Sequence, residues 1–350
     1  MNSNNKIYTV ESVTCGHPDK VCDQISDAIL DACLAQDPMS RTGIEVFGSH
    51  GNMMIGGEVK TRAKVDYEKI ARGVYTSIGY KDNLKISVCI AEQSPDIAMG
   101  VDTGGAGDQG IMYGYATDET PEFLPKGVVL AHALAQRLEE LRRKNVLPWL
   151  RPDGKTQVTI NNGKVVTALT STQHTDDVSQ DEIREALIKH LFTPVLGDIK
   201  DVEILVNPTG RFVQGGFEAD AGLTGRKIMV DTYGGLMPHG GGCFSGKEPM
   251  KVDRSAAYMC RFAAKNLVAN GYAKKCIVSV AYAIGRAEPL MIEAFDENGK
   301  DLTDIVVKNF DFRPKAIIER LGLRRPIYSK TSVYGHFGKK DLPWEDIIKL

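Results

Sequence analysis

The feature that most limits how this chain can fold is a pattern that comes round three times. An amphipathic helical stretch, an alternating strand pair, a second helical stretch and a further strand recur at intervals of roughly 105 to 125 residues. In Val21–Ala35 the apolar residues Val21, Ile25, Ala28, Ile29, Ala32 and Cys33 fall on the stripe of a helix with one buried face. Pro125–Lys144 opens on proline and closes on basic residues; Val252–Val268 reads as starting at an Asp cap and stopping at Asn270-Gly271. The strand pairs occupy 41–61, 156–174, which carries an Asn-Gly turn signal, and 275–299. Second helices follow at Asp66–Ile78, at Ser179–Leu191 with a capping box at Ser179 and Glu182, and at Thr303–Phe310. KISVCIAEQ and VEILVNPTG supply the closing strands, with a weaker third. The period is too long for a solenoid and suits three similar domains, hence an α+β protein of repeated modules.

The 350 residues suffice for a large core, and the charge balance of −2 leaves no whole-chain field for nucleic acid or an anionic membrane. No apolar run approaches the ~20 residues of a membrane span, and MNSNNKIYTV lacks a signal-type stretch, so a cytoplasmic protein is expected. Seven cysteines without a C-x-x-C pair read as reduced thiols, and no histidine spacing supports structural zinc. Glycine is clustered at 104–110, 234–235 and 240–246, as in loops where backbone approaches a ligand closely.

Two glycine motifs fail on context. Gly105–Gly110 satisfies G-x-G-x-x-G, but IMYGYATDETPEF follows where a Rossmann unit needs a helix, and the acids Asp118 and Glu119 come too early. Gly241–Lys247 satisfies G-x-x-x-x-G-K, but Glu248 stands where a Walker loop needs a hydroxyl, and a long connection separates it from the expected strand KIMVD. What survives is an anion site of glycine N–H groups and a lysine.

Charge also gathers in turns. In GHPDK, His17 and Asp19 flank a proline corner before the first helix; Asp19 is either an N-cap or a ligand for Mg²⁺, which takes one or two carboxylates plus substrate phosphates. Lys155, Arg211, Arg226, Lys227, Lys247 and Lys251 all lie in loop-like sequence; converging, and with Asp19 and Asp253 for Mg²⁺, they suit a polyphosphate. The like-charge stripe Asp23, Asp27, Asp31 is expected to be a solvated or intersubunit face.

Eleven short motifs run the length of the chain: GHPDK (16–20), IGGE (55–58), QSPDI (93–97), GAGDQG (105–110), LPWLRPDGK (147–155), NPTGRF (207–212), GLTGRK (222–227), VDTYGG (230–235), GGGCFSGK (240–247), KVDRSAAY (251–258) and YGHFG (334–338). In these motifs and in their order the chain resembles, over essentially its whole length, the S-adenosylmethionine synthase (methionine adenosyltransferase) family. It implies three similar α/β-repeat domains about a pseudo-threefold axis, each a mixed sheet with helices on one face, here at 1–101, 104–217 and 219–350. It also implies a homotetramer built as a dimer of dimers, with active sites between subunits. In such enzymes the methionine sulfur attacks C5′ of ATP and expels tripolyphosphate, which is hydrolysed to pyrophosphate and phosphate.

By the same resemblance His17 donates a hydrogen bond or proton to the departing oxygen, and Lys155, Arg226, Lys247 and Lys251 bind the phosphate chain. Asp19 and Asp253 hold two Mg²⁺, and Glu45 one K⁺ per subunit. Asp108, Asp153, Arg211, Phe212, Asp220, Lys227 and the Cys243 backbone contact ATP; Glu58, Gln93, Asp220 and Lys251 contact methionine. The segment AMGVDTG is shorter than the family's usual lid, Cys243 replaces the usual Ala, and Glu248 the usual Asp. A Cys243 thiolate stabilised by nearby lysines would be oxidant-sensitive. Two other readings of the residues are a phosphotransferase or ATPase, which yields ADP, and a nucleotide sensor without turnover.

Overall fold

The computed structural model describes residues 7–92 and 104–350. The first round comprises β1 (Tyr8–Val13), α1 (Pro18–Gln36), β2 (Arg41–Ser49), β3 (Asn52–Lys60), α2 (Tyr67–Ile78) and β4 (Lys85–Glu92). The second comprises β5 (Gly110–Thr117), α3 (Lys126–Arg143), β6 (Leu150–Asn161), β7 (Lys164–His174), α4 (Gln180–Leu187), α5 (Thr193–Leu196) and β8 (Glu203–Val206). The third comprises β9 (Gly222–Leu223), α6 (Ile228–Asp231), α7 (Val252–Ala269), β10 (Lys275–Tyr282), β11 (Met291–Asp296), α8 (Thr303–Asn309) and α9 (Pro314–Leu321).

Local signals explain most of these elements. His50-Gly51 and Asn162-Gly163 both have positive φ at the two central positions, the primed turn that matches the twist of the β2–β3 and β6–β7 hairpins. Asp66 caps α2 through the Lys69 N–H, and Ser179 with Glu182 completes a capping box on α4. The helix begun at α4 does not stop at Leu191; a π-helical turn over Ile188–Phe192 carries it into α5.

The three sheets run β4-β3-β2-β9, β1-β6-β7-β8 and β11-β10-β5. In the first two, an antiparallel hairpin is extended by a parallel strand, β3–β4 and β7–β8. On the other side each hairpin accepts an antiparallel strand from elsewhere in the chain: β9 on β2, β1 on β6, β5 on β10. One long helix packs on each sheet, α1 on β2 and β9, α3 on β1 and β6, α7 on β5 and β10. Gly114 of β5 lies so close to α7 that a Cβ there would fall 2.0 Å from the Cys260 carbonyl carbon. Three mixed α and β domains therefore make an α+β fold. No helix among the described residues is long and apolar enough to cross a membrane.

Three local expectations are corrected. KIMVD is not a strand: Ile228–Asp231 forms one helical turn. No strand follows α8 among the described residues; α9 comes next. The N-cap of α7 is Lys251, without a side-chain bond, and Asp253 sits inside the first turn.

Candidate active site

The first charged cluster forms where β1 runs into α1. β1 pairs with β6 so that Val13 lies opposite Lys155, and the Thr14 hydroxyl and N–H donate to the carbonyls of Pro152 and Gly154 at 2.7 and 2.9 Å. That pins the GHPDK corner beside RPDGK, which forms the start of β6 and not the loop its sequence suggested. His17, 3% exposed, is the N-cap of α1, and its Nδ1 accepts the Asp19 N–H at 3.2 Å. Burial, reinforced by Lys227 and Lys155, depresses the His17 pKa to about 3 against the pull of Asp19. The ring is therefore neutral, and with Nδ1 accepting, its proton is on Nε2.

Asp19 is not the cap. Its Oδ1 accepts the Leu223 N–H at 2.9 Å and lies 3.5 Å from Arg226 Nε, while its Oδ2 accepts Lys227 Nζ at 2.6 Å. Burial opposes its ionisation, but Lys227 and the Leu223 N–H outweigh it and hold the carboxyl below the usual range. Asp153 receives the Gly216 N–H at 2.8 Å, and burial pushes its pKa up to about 6. Asp220, four residues beyond Gly216, is exposed and adds a second negative charge near Asp153.

The second cluster surrounds the start of α7. Lys247 pairs with Asp253, and Lys251 with Glu58 at 3.2 Å; Lys251 Nζ also donates to the Thr42 carbonyl at 3.1 Å. Burial disfavours the Lys247 charge, but Cys243 and Asp253, helped by Asp108, raise its pKa. Glu45, Glu58, Cys243, Lys247 and Lys251 face one cavity of about 560 Å³ on the open side of the β2–β3 hairpin, where Phe47 and Met54 are exposed. The Cys243 thiol is not poised as a thiolate: burial raises its pKa despite Lys247.

The acidic stripe of α1, expected as a solvated or intersubunit face, ties the two clusters together instead: Asp23 and Asp27 are buried, Asp31 is half-buried, and all three are partnered within the chain. Asp23 accepts the Gly225 N–H at 2.8 Å, Asp27 the Gly246 N–H at 2.9 Å, and Asp31 the Tyr328 and Ser329 N–H groups at 2.9 and 2.8 Å. Asp23 and Asp27 are fully buried, facing Lys20 and Arg254. Sequence reasoning missed the backbone partners because those N–H groups lie 202 to 298 positions away.

The remaining expected residues stand apart. Arg211 is exposed and pairs with Asp176 at 2.9 Å; the Phe212 N–H donates to His174 at 3.0 Å. Gln93 and AMGVDTG lie outside the described residues. No group of three or more His, Cys, Asp or Glu among the described residues is arranged to hold a metal ion. Asp19 and Asp253 are single carboxylates beside cations, which suits Mg²⁺ whose other ligands are phosphate oxygens.

Comparison with known proteins places this arrangement. Residues 5–95, 103–212 and 214–346 match the models of the N-terminal, central and C-terminal domains of S-adenosylmethionine synthetase. Curated proteins named S-adenosylmethionine synthase are similar throughout. That of Petrotoga mobilis is 49% identical over 98% of this chain and 97% of its own length. That of Pseudothermotoga lettingae is 50% identical over 98% and 96%, and that of Clostridium tetani 49% over 99% and 98%. With all three domains matched and half of all positions identical, the chain belongs to the S-adenosylmethionine synthase family.

Proposed function

We propose that this chain joins ATP to L-methionine, forming S-adenosylmethionine and releasing the triphosphate as pyrophosphate and phosphate. The observation that carries the reading is the gathering of Lys155, Arg226 and Lys227 around His17 and Asp19 at the N-terminus of a 19-residue helix. Helix N-termini and fixed cations both favour phosphate oxygens. The leaving group gains charge along three phosphoryls, so rate comes from cations placed beforehand and from in-line placement of a neutral sulfur. A thioether has no proton to lose, and none of the buried carboxylates is required as a base.

His17 acts in this scheme as a neutral hydrogen-bond donor through Nε2, because burial and its lysine neighbours keep the imidazolium from forming near pH 7. Asp19 and Asp253 would hold Mg²⁺, which supplies charge neutralisation along the phosphate chain when bound. Glu45 would hold K⁺, and Glu58 with Lys251, Gln93 and Asp220 would bind the amino-acid head group. Arg211, Phe212, Asp108, Asp153 and the Cys243 backbone would contact the nucleoside.

The second cluster opens onto a sheet face with exposed Phe47 and Met54. Such a face suits a second copy of the chain, which would bring its Lys247 and Lys251 to the His17 cluster of the first and make a dimer, or a tetramer built as a dimer of dimers, the working unit. All seven cysteines are unpaired, which suits the reducing cytoplasm. The test is product analysis: with ATP, methionine, Mg²⁺ and K⁺, mass spectrometry is expected to find S-adenosylmethionine, pyrophosphate and phosphate. ADP as the nucleotide product would overturn the reading in favour of a phosphotransferase.

A further inference from the structure

Under the two cation-bearing loops lies a buried polar framework that the chemistry above does not use. Asp23 receives the Gly225 N–H, next to Arg226 and Lys227; Asp27 receives the Gly246 N–H, next to Lys247. Both glycines have φ of +82°, and both are hemmed in: a Cβ would fall 2.5 Å from Cys243 Cβ at Gly225 and 2.0 Å from the Ile44 carbonyl oxygen at Gly246. Neither loop can shift at these points without breaking a contact. Arg254 grips Asp27 with two bonds of 2.7 and 2.9 Å and donates to the Lys247 carbonyl at 3.2 Å, so the loop is held from both sides of its glycine. Asp23 accepts Lys20 at 2.9 Å, and Lys20 also holds Asp231.

Carboxylates this deeply buried add little to stability over well-packed apolar side chains. Here each accepts one backbone N–H, one helical turn apart, from the loop that carries a phosphate-binding cation. We propose that Asp23 and Asp27 are positioning residues for adenosyl transfer, Asp23 setting the Arg226–Lys227 loop and Asp27, with Arg254, setting the Lys247 loop. The inference rests on the reading that Lys227 and Lys247 bind the triphosphate. An ångström of misplacement costs about a hundredfold in rate, so helix α1 serves as a ruler on which two distant loops are registered.

The experiment is a pair of double-mutant cycles in the full-length enzyme, crossing Asp23→Ala and Asp27→Ala, which remove the acceptors of the Gly225 and Gly246 N–H groups, with Lys227→Met and Lys247→Met. Melting temperatures are recorded for each. Asp27→Ala is expected to lower kcat about tenfold or more with methionine KM unchanged. It should cost little further in Lys247→Met but its full factor in Lys227→Met; Asp23→Ala should show the reverse. Equal, additive losses on both backgrounds, or an unchanged kcat, would overturn the proposal and leave only a structural role. If Asp27→Ala does not fold, Asp27→Glu and the Asp23 arm carry the same comparison. A fully active Lys247→Met enzyme would overturn the triphosphate reading itself, and this inference with it.

Discussion

Lys227 donates to Asp19 across 2.6 Å, pairing two residues 208 positions apart in the chain, each of which is the other's counterion. Under the proposed function a magnesium–triphosphate complex would offer the carboxylate a metal and the ammonium a phosphate at once, so that the two ligands would bind together more readily than either alone.

Replacing that carboxylate tests the assignment. Asp19→Asn keeps the Leu223 N–H bond but loses the charge, and Asp253→Asn does the same beside Lys247. Each is expected to raise the Mg²⁺ needed for half-maximal activity by about tenfold or more. A magnesium titration identical to the parent enzyme's would mean the metal binds elsewhere.

His17→Asn is expected to lower kcat by about 10² to 10³ while ATP affinity stays close to the parent value, since the Nε2–H contact strengthens as charge develops. Because burial and the neighbouring lysines hold the ring's pKa near about 3, its protonation should contribute no acidic limb to the rate between pH 6 and pH 8. Equal losses in affinity and turnover would remove His17 from this role.

Much of the scaffold was legible in local chemistry. The Ser179 capping box, the Asn162-Gly163 turn and the α1 stripe of Val21, Ile25 and Ile29 each act within a few residues, and each appears where the spacing put it. What stayed hidden is non-local. Nothing in YTVESV says that it pairs with β6 rather than with its own hairpin, and nothing in the spacing of Asp23 and Asp27 says that glycine N–H groups from the far end of the chain will cover them. The short KIMVD run is apolar with no turn signal, so length alone had to choose between strand and helix, and chose wrongly. Among the cations, residue type and glycine neighbours pointed alike to Lys155, Arg211, Arg226, Lys227, Lys247 and Lys251; the pairings Lys227–Asp19, Lys251–Glu58 and Arg211–Asp176 required the fold.

A buried histidine away from the site gives a stability prediction. His132, hydrogen-bonded to Ser12 at 2.8 Å, has its pKa depressed to about 3 by burial, helped by Lys339 and Lys20. Its folded pKa is below its unfolded one, so the neutral ring's contribution is complete above about pH 6.5 and is lost as pH falls towards 3. His132→Gln should therefore melt below the parent protein at pH 7, and the gap should narrow as the pH is lowered to 5. A gap that stays constant would show that the ring does not titrate on unfolding.

Two inactive chains should repair each other if the site spans two copies. Mixing His17→Asn with Lys247→Met under conditions that exchange subunits pairs an intact His17 cluster with an intact Lys247 cluster in one of the two sites of each mixed dimer. Activity is expected to recover towards a quarter of the parent level at equal mixing, on simple random pairing. No recovery despite subunit exchange seen by native mass spectrometry would place both clusters' function within one chain.

The most direct measurement is phosphorus NMR of a quenched single turnover with ATP, methionine, Mg²⁺ and K⁺. The account predicts tripolyphosphate first, then pyrophosphate and phosphate, with no ADP at any time. ADP in place of tripolyphosphate would contradict it.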